Sequence, residues 1–165
     1  MEIYIREYSK KDCKALCEIW NEVVKEGVAF PQEELLNEAS GDKFFKEQTF
    51  TGAAVNKLTE EVVGLYILHP NNIGRCGHIC NASYAVKKDI RGEHIGKKLV
   101  LHCIDTARKK GFIVLQFNAV VATNVYALKL YKSLGFKQLG VIPKGFRMPN
   151  GTYESIIPHY YLLEE

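Results

Sequence analysis

The sequence predicts one domain of the α/β class, of the α+β type, over residues 1–165. Strand-like and helix-like segments follow one another in the order β, α, α, β, β, β, α, β, α, β, β, which gives about seven strands and four helices. The chain is 47% hydrophobic and 25% charged, and it is long enough to build one core. No internal repeat or low-complexity segment interrupts this order.

The first elements are a strand and two helices. Residues 3–8 are typical of a strand, and Ser9-Lys-Lys-Asp12 resembles a capping box that opens a helix, which Gly27 terminates. Pro31 suits the first turn of a short second helix that extends to about Glu38.

Several turns separate the remaining strands. Residues 50–55 and 62–69 are predicted to form an antiparallel pair, joined by a polar segment. A loop then leads to a strand over residues 78–86. Near the end, Pro149-Asn-Gly-Thr152 predicts a hairpin turn between strands at 140–148 and 153–163, and Pro158 indicates an edge or bulge.

The segment after residue 86 is the most informative part of the chain. A glycine-bearing basic loop follows the strand, and apolar residues from Ile95 onward then recur at helical spacing until Gly111. The loop therefore enters a helix N-terminus, where backbone N–H groups are free and the macrodipole is positive. Arg91, Lys97 and Lys98 add full charges. An anionic ligand is the predicted occupant.

The sequence of this segment does not match the patterns of two common nucleotide-binding loops. A Walker A loop needs four residues between its glycines and then Lys-Ser/Thr, whereas three residues separate Gly92 from Gly96 and Lys97-Lys98 follows. The loop also lacks the G-x-G-x-x-G pattern of a dinucleotide site. Taken alone, it could equally be a solvated connection between a strand and a helix.

A second motif lies downstream of the loop. An apolar strand at 112–120 precedes a helix that Thr123 or Asn124 can cap and that Gly135 ends. The apolar residues of this helix fall on about one side: Val125, Leu128, Tyr131 and Leu134.

With both motifs, the sequence resembles the GNAT superfamily of acetyl-coenzyme A (acetyl-CoA)-dependent N-acetyltransferases, of the bacterial small-molecule type. The family patterns are Arg/Gln-x-x-Gly-x-Gly/Ala after a strand and, later, Asn-x-x-Ala-x-x-Leu-Tyr-x-x-x-Gly-Phe. The matching residues are Arg91, Gly96, Asn124, Ala127, Leu130, Tyr131, Gly135 and Phe136. The resemblance implies the GNAT fold, which is a single mixed, mostly antiparallel sheet flanked by helices.

The resemblance also implies where the donor binds and how the reaction proceeds. The pantetheine arm and thioester would meet the backbone of Tyr84, Ala85 and Val86 and the residues Asn124, Ala127 and Tyr131. An amine would attack acetyl-CoA directly in a ternary complex, with Tyr131 as general acid to the thiolate. The pyrophosphate would lie over Arg91, Gly92, Glu93, His94, Ile95, Gly96 and Lys97.

One position departs from the family pattern. His94 stands where the family usually has the first glycine of the pyrophosphate motif. A Cβ there could obstruct close approach of the backbone to the ligand. We expect His94 to have helical dihedrals and to direct its side chain outward.

The general base and the acceptor are less defined. Asn81 and Ser83 occupy positions that often supply a carboxylate in the family. This favours, as the general base, water relayed by polar side chains or, alternatively, Glu154. Asn118 is a further candidate for orienting substrate. We expect a small-molecule primary amine, bound near the first two helices and the terminal hairpin. The alternatives are a protein or peptide amine, a catalytically weak or inactive acetyl-CoA sensor, and an interaction module.

Composition limits the partners and the compartment. A net charge of +3 without a long basic tract does not indicate nucleic acid, and no apolar run is long enough for a membrane span or a secretory signal. An odd cysteine count without an export signal favours the cytoplasm. Cys76-Gly-His78-Ile-Cys80 could present thiolate and imidazole on a strand face, but it lacks a fourth ligand, so we predict no metal. The resemblance makes a homodimer possible.

Overall fold

The computed structural model describes residues 1–164, which form eight strands and four helices. The helices are α1 (Cys13–Glu26), α2 (Glu38–Glu47), α3 (Ile95–Lys109) and α4 (Val125–Ser133). The strands are β1 (Ile3–Glu7), β2 (Phe50–Asn56), β3 (Val62–Pro70), β4 (Ile79–Val86), β5 (Val114–Val121), β6 (Lys137–Gln138), β7 (Ile142–Arg147) and β8 (Tyr153–Leu162).

The strands form one mixed sheet in the order β1-β2-β3-β4-β5-β8-β6, and β7 also pairs with β8. Among these pairings only β4 with β5 is parallel, so the prediction of a mostly antiparallel sheet is confirmed. The eighth strand, β6, escaped prediction because its two residues are too short for a recognisable alternation. It pairs with Tyr160 and His159 of β8.

The two faces of the sheet carry separate hydrophobic clusters. On β3, Tyr66 and Leu68 pack with α3, whereas Leu65 and Ile67 pack with α1 and α2. Successive side chains of a strand point to opposite faces, so β3 contributes to both clusters. The chain therefore has helices on both faces of one sheet.

Helix α1 ends at Gly27 as the sequence predicts, but the predicted capping box opens a 3-10 turn at Lys10–Asp12, and α1 itself begins at Cys13. The backbone N–H of Ser9 donates to Asp12 Oδ2 at 2.9 Å, and Arg6 donates to both carboxylate oxygens of Asp12 at 2.6 and 2.8 Å. At the other end, Gly27 adopts the left-handed conformation (φ 65°), which ends the helix.

The predicted second helix is wrong in position. Residues 31–37 are irregular, and among their side chains Leu36 alone packs, partly buried, against the hydrophobic cluster of α1 and α2. Helix α2 begins instead at Glu38, because Asn37 and Ser40 cap it reciprocally through N–H···O bonds of 2.9 and 3.0 Å. It packs on α1 through Gly41, where an added Cβ would lie 2.2 Å from Cys17 Sγ.

The pairing of β4 with β5 is short and determines where the site lies. The two strands pair only at Ile79–Val114 and Cys80–Leu115, while β4 stays paired with β3 along its whole length. Beyond residue 80 the two strands separate. At the first position of this separation, Asn81 Nδ2 donates a hydrogen bond to the carbonyl of Gln116 at 2.8 Å. The second half of β4 therefore faces an opening.

Candidate functional site

A cavity of about 760 Å³ lies beside the end of β4, beyond the point where that strand has separated from β5. Its wall comes from the end of β4, the loop and first turns of α3, the first turns of α4, and the end of α1. The lining residues are Val23, Glu26, Val28, Ala29, Tyr84, Ala85, Val86, Arg91, Gly92, Ile95, Gly96, Val100, Thr123, Asn124, Tyr126, Ala127, Leu130, Tyr131 and Met148. The volume is in the usual range for a small-molecule or cofactor site.

The loop before α3 turns sharply through left-handed backbone. Gly92 has φ 97°, and His94 has φ 60° and ψ 16° at the N-cap of α3. The expectation of helical dihedrals at His94 is therefore wrong, although its side chain is exposed as predicted. Left-handed backbone favours glycine, which explains physically why the family pattern has glycine at this position.

Gly96 leaves space beside the helix N-terminus. A Cβ added there would lie 3.7 Å from Tyr126 Oη, which is an ordinary contact distance, so packing within this fold does not require glycine. The first backbone N–H groups of α3 have no intrahelical acceptor. Gly96 therefore lets a ligand approach these donors at the cavity wall.

The predicted phosphate-binding residues divide between the cavity and the outer surface. Arg91, Gly92, Ile95 and Gly96 line the cavity. Glu93 is exposed and its Oε2 lies 3.2 Å from the amino-terminal nitrogen of Met1, while His94 and Lys97 are also exposed and outside the lining.

Arg91 is held on the cavity wall by two partners. Its Nε donates to the carbonyl of Val86 at 3.3 Å, and its Nη1 donates to Glu26 Oε1 and Oε2 at 3.0 and 3.1 Å. The guanidinium is 40% exposed. It remains accessible to an anion at the helix N-terminus.

Tyr131 reaches the cavity from α4. Its ring packs against Phe117 at 4.5 Å and lies edge-on to His159 at 5.7 Å between centroids. Burial raises the pKa of Tyr131 above its usual value and lowers that of His159. Near neutral pH, Tyr131 is therefore a protonated phenol next to an uncharged imidazole.

The end of β4 contributes Tyr84, Ala85 and Val86 to the cavity, as the resemblance implies. Tyr84 also packs into the α3 cluster, where its ring is 5.8 Å from that of Phe117. Its hydroxyl is buried without a hydrogen-bond partner within residues 1–164, and burial raises its pKa well above the usual value. Tyr84 therefore stays un-ionised.

Helix α4 begins at the cavity. Asn124 Oδ1 accepts a hydrogen bond from the backbone N–H of Ala127 at 3.2 Å. Both residues line the cavity. Of the two roles considered for Asn124, this geometry supports helix capping.

The four residues proposed for the acceptor lie outside the cavity lining. Asn81 bridges the separating strands, Asn118 exchanges amide hydrogen bonds of 2.7 and 3.1 Å with Asn71, Ser83 pairs with Ile67, and Glu154 pairs with Phe146. Their role in acceptor binding stays a prediction.

One wall of the cavity lies beside the end of α1 and the terminal hairpin, in the region where the acceptor is expected, but the sequence did not identify its residues. Val23, Val28 and Ala29 come from the end of α1 and the residues after it, and Met148 comes from the terminal hairpin. The end of α1 contacts the terminal hairpin at Gly27, where an added Cβ would lie only 2.9 Å from Pro149 Cγ. The two turn signals were visible in the sequence, but their proximity was not.

The side chains of the segment Cys76-Gly-His78-Ile-Cys80 do not converge on one site. Cys76 is exposed, whereas Cys80 is buried and donates to the carbonyl of Val114 at 3.3 Å. Burial raises the pKa of the Cys80 thiol to about 12. Residues 1–164 contain no group of three His, Cys, Asp or Glu arranged to hold a metal ion.

Within those residues, no helix is both long and apolar enough to cross a bilayer. The longest helix, α3, has 15 residues and carries two lysines in its first turn and an arginine and a lysine in its last turn.

Known proteins that are similar to this chain in sequence or structure include several acyltransferases. A family model described as the acetyltransferase (GNAT) family matches residues 14–136. The N-acetyltransferase aca1 of Schizosaccharomyces pombe is 32% identical over 102 residues, which are 61% of this chain and 49% of that protein. The chain thus spans about half the length of this relative.

Two further proteins match most of the chain. The L-amino acid N-acyltransferase MnaT of Escherichia coli is 28% identical over 145 residues, covering 85% of this chain and 83% of MnaT. The solved structure of a GCN5-related N-acetyltransferase from Kribbella flavida superposes with a TM-score of 0.89 at 29% identity, covering 97% of both chains.

Proposed function

Because the chain belongs to the GNAT family of acetyltransferases, we propose that it transfers an acetyl group from acetyl-CoA to the primary amine of a small molecule. The observation that carries this proposal is the cavity beside the separated end of β4, which adjoins the N-terminus of α3 and contains the Tyr131 phenol.

The two ends of the cavity suit the two parts of the donor. Arg91 and the first N–H groups of α3 would bind the diphosphate, because a helix N-terminus and a guanidinium both favour anions. Much of the remaining wall is apolar, including Val86, Ile95 and Val100, which suits the pantetheine arm. The separated edge of β4 would supply backbone hydrogen bonds to its amide groups.

Acetyl transfer needs an acid at the departing sulfur. The amine nitrogen attacks the thioester carbonyl, the carbon–sulfur bond breaks, and the Tyr131 phenol donates its proton to the leaving thiolate. Because a phenol is normally a weaker acid than a thiol, this transfer needs a direct hydrogen bond between Tyr131 and the sulfur. The nitrogen loses its proton to water relayed through the cavity, and water returns a proton to the Tyr131 phenolate.

The acceptor class that we propose is supported by one of the relatives. MnaT, by its name, acts on L-amino acids, and it matches this chain over most of both lengths. A small amine would fit the wall that the end of α1 and Met148 form beside the donor end. A small-molecule acceptor is therefore our proposal, ahead of a protein terminus.

A second candidate is a sensor that binds acetyl-CoA without efficient turnover. The observation that favours it is the single carboxylate among the described cavity-lining residues, that of Glu26, which is already paired with Arg91. A base for the attacking amine would then be lacking.

The deciding experiment incubates the purified chain with acetyl-CoA and measures thiol release across amino acids, alkyl amines and short peptides. The proposal predicts release well above the amine-free rate for at least one small amine, and the acetylated product is identified by mass spectrometry. Saturable acetyl-CoA binding without release would favour the sensor. Release with peptides alone would replace the acceptor class.

A further inference from the structure

The face of the sheet opposite Tyr131 carries three side-chain amides beside the opening. Successive side chains of β5 point to opposite faces, and Phe117 belongs to the α3 cluster and packs against Tyr131. Gln116 and Asn118 therefore point to the α1 side, where Gln116 Nε2 donates to Asn118 Oδ1 at 3.1 Å. Together with Asn71, they form what we call the amide cluster.

The members of the amide cluster bind one another through their side chains. Asn71 Nδ2 donates to Asn118 Oδ1 at 3.1 Å, and Asn118 Nδ2 donates to Asn71 Oδ1 at 2.7 Å. These two hydrogen bonds form the reciprocal pair that one carboxamide makes with another. Asn118 is exposed, while Asn71 and Gln116 are half-buried. The amide cluster is therefore accessible to a ligand.

The amide cluster lies where β4 leaves β5. Asn81 Nδ2, at the first position where β4 no longer pairs with β5, donates to the backbone carbonyl of Gln116 at 2.8 Å. Asn118 follows Phe117 directly in the chain, and the centroid of the Phe117 ring is 4.5 Å from that of Tyr131. The amide cluster and the proposed acid therefore lie on opposite faces of β5, at the level where the thioester would be bound.

Helices α1 and α2 leave this part of the face open. Their hydrophobic cluster includes side chains from β2, β3 and β4, and among the described residues it contains no side chain from β5. Val23 of α1 belongs to that cluster and also lines the cavity, and Ala29 packs against it. An acceptor bound beside the end of α1 would thus be on the same face as the amide cluster.

The chemistry of the amide cluster favours an uncharged partner. Each side-chain amide has two N–H donors and one carbonyl acceptor. Within residues 1–164, Gln116 Oε1 accepts no hydrogen bond, and the second N–H of Asn118 Nδ2 has no acceptor. A carboxamide can bind both groups at once, since it also has a donor and an acceptor. The three amides supply no cation, which is what would favour a carboxylate.

We propose that the amide cluster binds a carboxamide group of the acceptor while the acceptor's amine lies in the opening, at the thioester. The carboxamide carbonyl accepts from Asn118 Nδ2, and the carboxamide N–H donates to Gln116 Oε1. The inference rests on the proposed function, since it needs acetyl transfer at the opening. It specifies the acceptor as a primary amine that carries a carboxamide, as in an amino acid amide or a dipeptide.

The test first compares acceptors that differ at one group: an amino acid amide, the methyl ester of the same amino acid, and the free amino acid. The ester keeps the carbonyl and an amine of similar basicity, but it lacks the N–H donor. The wild type should prefer the amide to the ester in kcat/KM by roughly fivefold, the factor expected for one hydrogen bond. Comparing the amide with a dipeptide then identifies which source of the carboxamide is preferred.

The test then removes the acceptor atom on the protein. Gln116→Met keeps the length of the side chain and should reduce the preference for the amide over the ester to less than about twofold, with the dissociation constant for acetyl-CoA unchanged. Gln138→Met, which changes an exposed amide on β6, is the matched control and should keep the preference. A merely structural role of Gln116 would lower turnover of both acceptors and leave their ratio unchanged.

Each result decides the inference. Equal use of amide and ester by the wild type, a preference for the free amino acid, or an undiminished amide preference in Gln116→Met overturns it and leaves the proposed function intact. If Gln116→Met fails to fold, as circular dichroism would show, Asn118→Ala replaces it and should also lower the preference, because Gln116 loses the hydrogen bond that orients its amide. A wild type that binds no acetyl-CoA or acetylates no amine refutes the proposed function itself.

Discussion

At the scale of single residues, the proposed chemistry depends on one phenol. Tyr131 packs against Phe117 and lies beside the imidazole of His159, and burial raises its pKa. A raised pKa keeps the proton on the phenol over a wider pH range. The proposed acid therefore stays protonated over the pH range in which the acceptor amine begins to lose its proton.

Tyr131→Phe should lower kcat by about 10²-fold, because general acid catalysis typically contributes this much. The dissociation constant for acetyl-CoA should change little, since the ring and its packing remain. Steady-state kinetics and calorimetric titration check both, with Tyr4→Phe as a control on the distant strand β1. An unchanged kcat in Tyr131→Phe would remove Tyr131 from the mechanism.

The pH profile tests the same residue independently. Because the pKa of Tyr131 is raised above about 10, its ordinary value, kcat should show no Tyr131-dependent decline up to about pH 10. Measuring kcat from pH 6 to 10 in the wild type and in Tyr131→Phe checks this. A wild-type decline below pH 9 that disappears in Tyr131→Phe would contradict the raised pKa.

His94 carries a backbone cost that glycine would remove. Its φ of 60° is unfavourable for a residue with a Cβ. His94→Gly should therefore stabilise the chain by about 1 kcal/mol, which corresponds to about 3 °C in the midpoint of thermal unfolding. Calorimetry checks it, and Gly92→Ala should move the midpoint in the opposite direction. A lower midpoint in His94→Gly would show that the imidazole makes a stabilising contact.

At the scale of elements, the buried carboxylate of Asp12 fixes the start of α1. Its burial would by itself raise the pKa, but hydrogen bonds from Arg6 and Ser9 outweigh this and lower the pKa. Asp12 then stabilises the fold above its unfolded pKa, and this contribution is lost as the pH falls through the lower, folded value.

Asp12→Asn should cost about 2–3 kcal/mol at pH 7, because Arg6 loses its charged partner. The destabilisation relative to the wild type should shrink as the pH falls from about 4, the ordinary pKa of an unfolded aspartate, through the lower pKa of folded Asp12. Urea unfolding at several pH values measures it. A constant difference across that range would exclude Asp12 as the titrating group.

Where β4 leaves β5, Asn81 links the two strands by a side-chain hydrogen bond to the carbonyl of Gln116 in place of a backbone ladder contact. Asn81→Ala should cost about 1 kcal/mol and weaken acetyl-CoA binding. Asn81→Asp should cost more, since its carboxylate would face the carbonyl oxygen. Urea unfolding and donor titration check the order, and Asn81→Asp as stable as the wild type would contradict it.

Elements with a strong local signal could be predicted from the sequence. Helix α1 has both its cap and its terminal glycine, and the loop before α3 and the start of α4 have family motifs. The sequence predicts helix α2 at the wrong position because Pro31 is a local signal for a helix start. The packing of Gly41 on Cys17 is a tertiary contact, which a local pattern does not reveal. The resemblance implies an acceptor near the first two helices and the terminal hairpin, but the residues of that wall could not be predicted, since Val28 and Met148 are distant in the chain.

At the scale of the whole molecule, the two hydrophobic clusters share one sheet. Trp20, 1% exposed, reports on the α1 side, and tyrosines such as Tyr66 report on the α3 side. Because β3 belongs to both clusters, the chain should unfold in one transition. Tryptophan fluorescence and near-ultraviolet tyrosine signals should give the same urea midpoint, and two separate midpoints would show that the faces unfold independently.

Donor binding in the opening of the sheet is the central claim for the whole molecule. Calorimetric titration with acetyl-CoA tests it most directly, using the wild type and Gly96→Glu, which places a carboxylate beside the proposed diphosphate site. The account predicts saturable binding at one site per chain in the wild type and its loss in a Gly96→Glu variant that retains the wild-type unfolding midpoint. Absence of binding in the wild type, or equal binding in both, would contradict it.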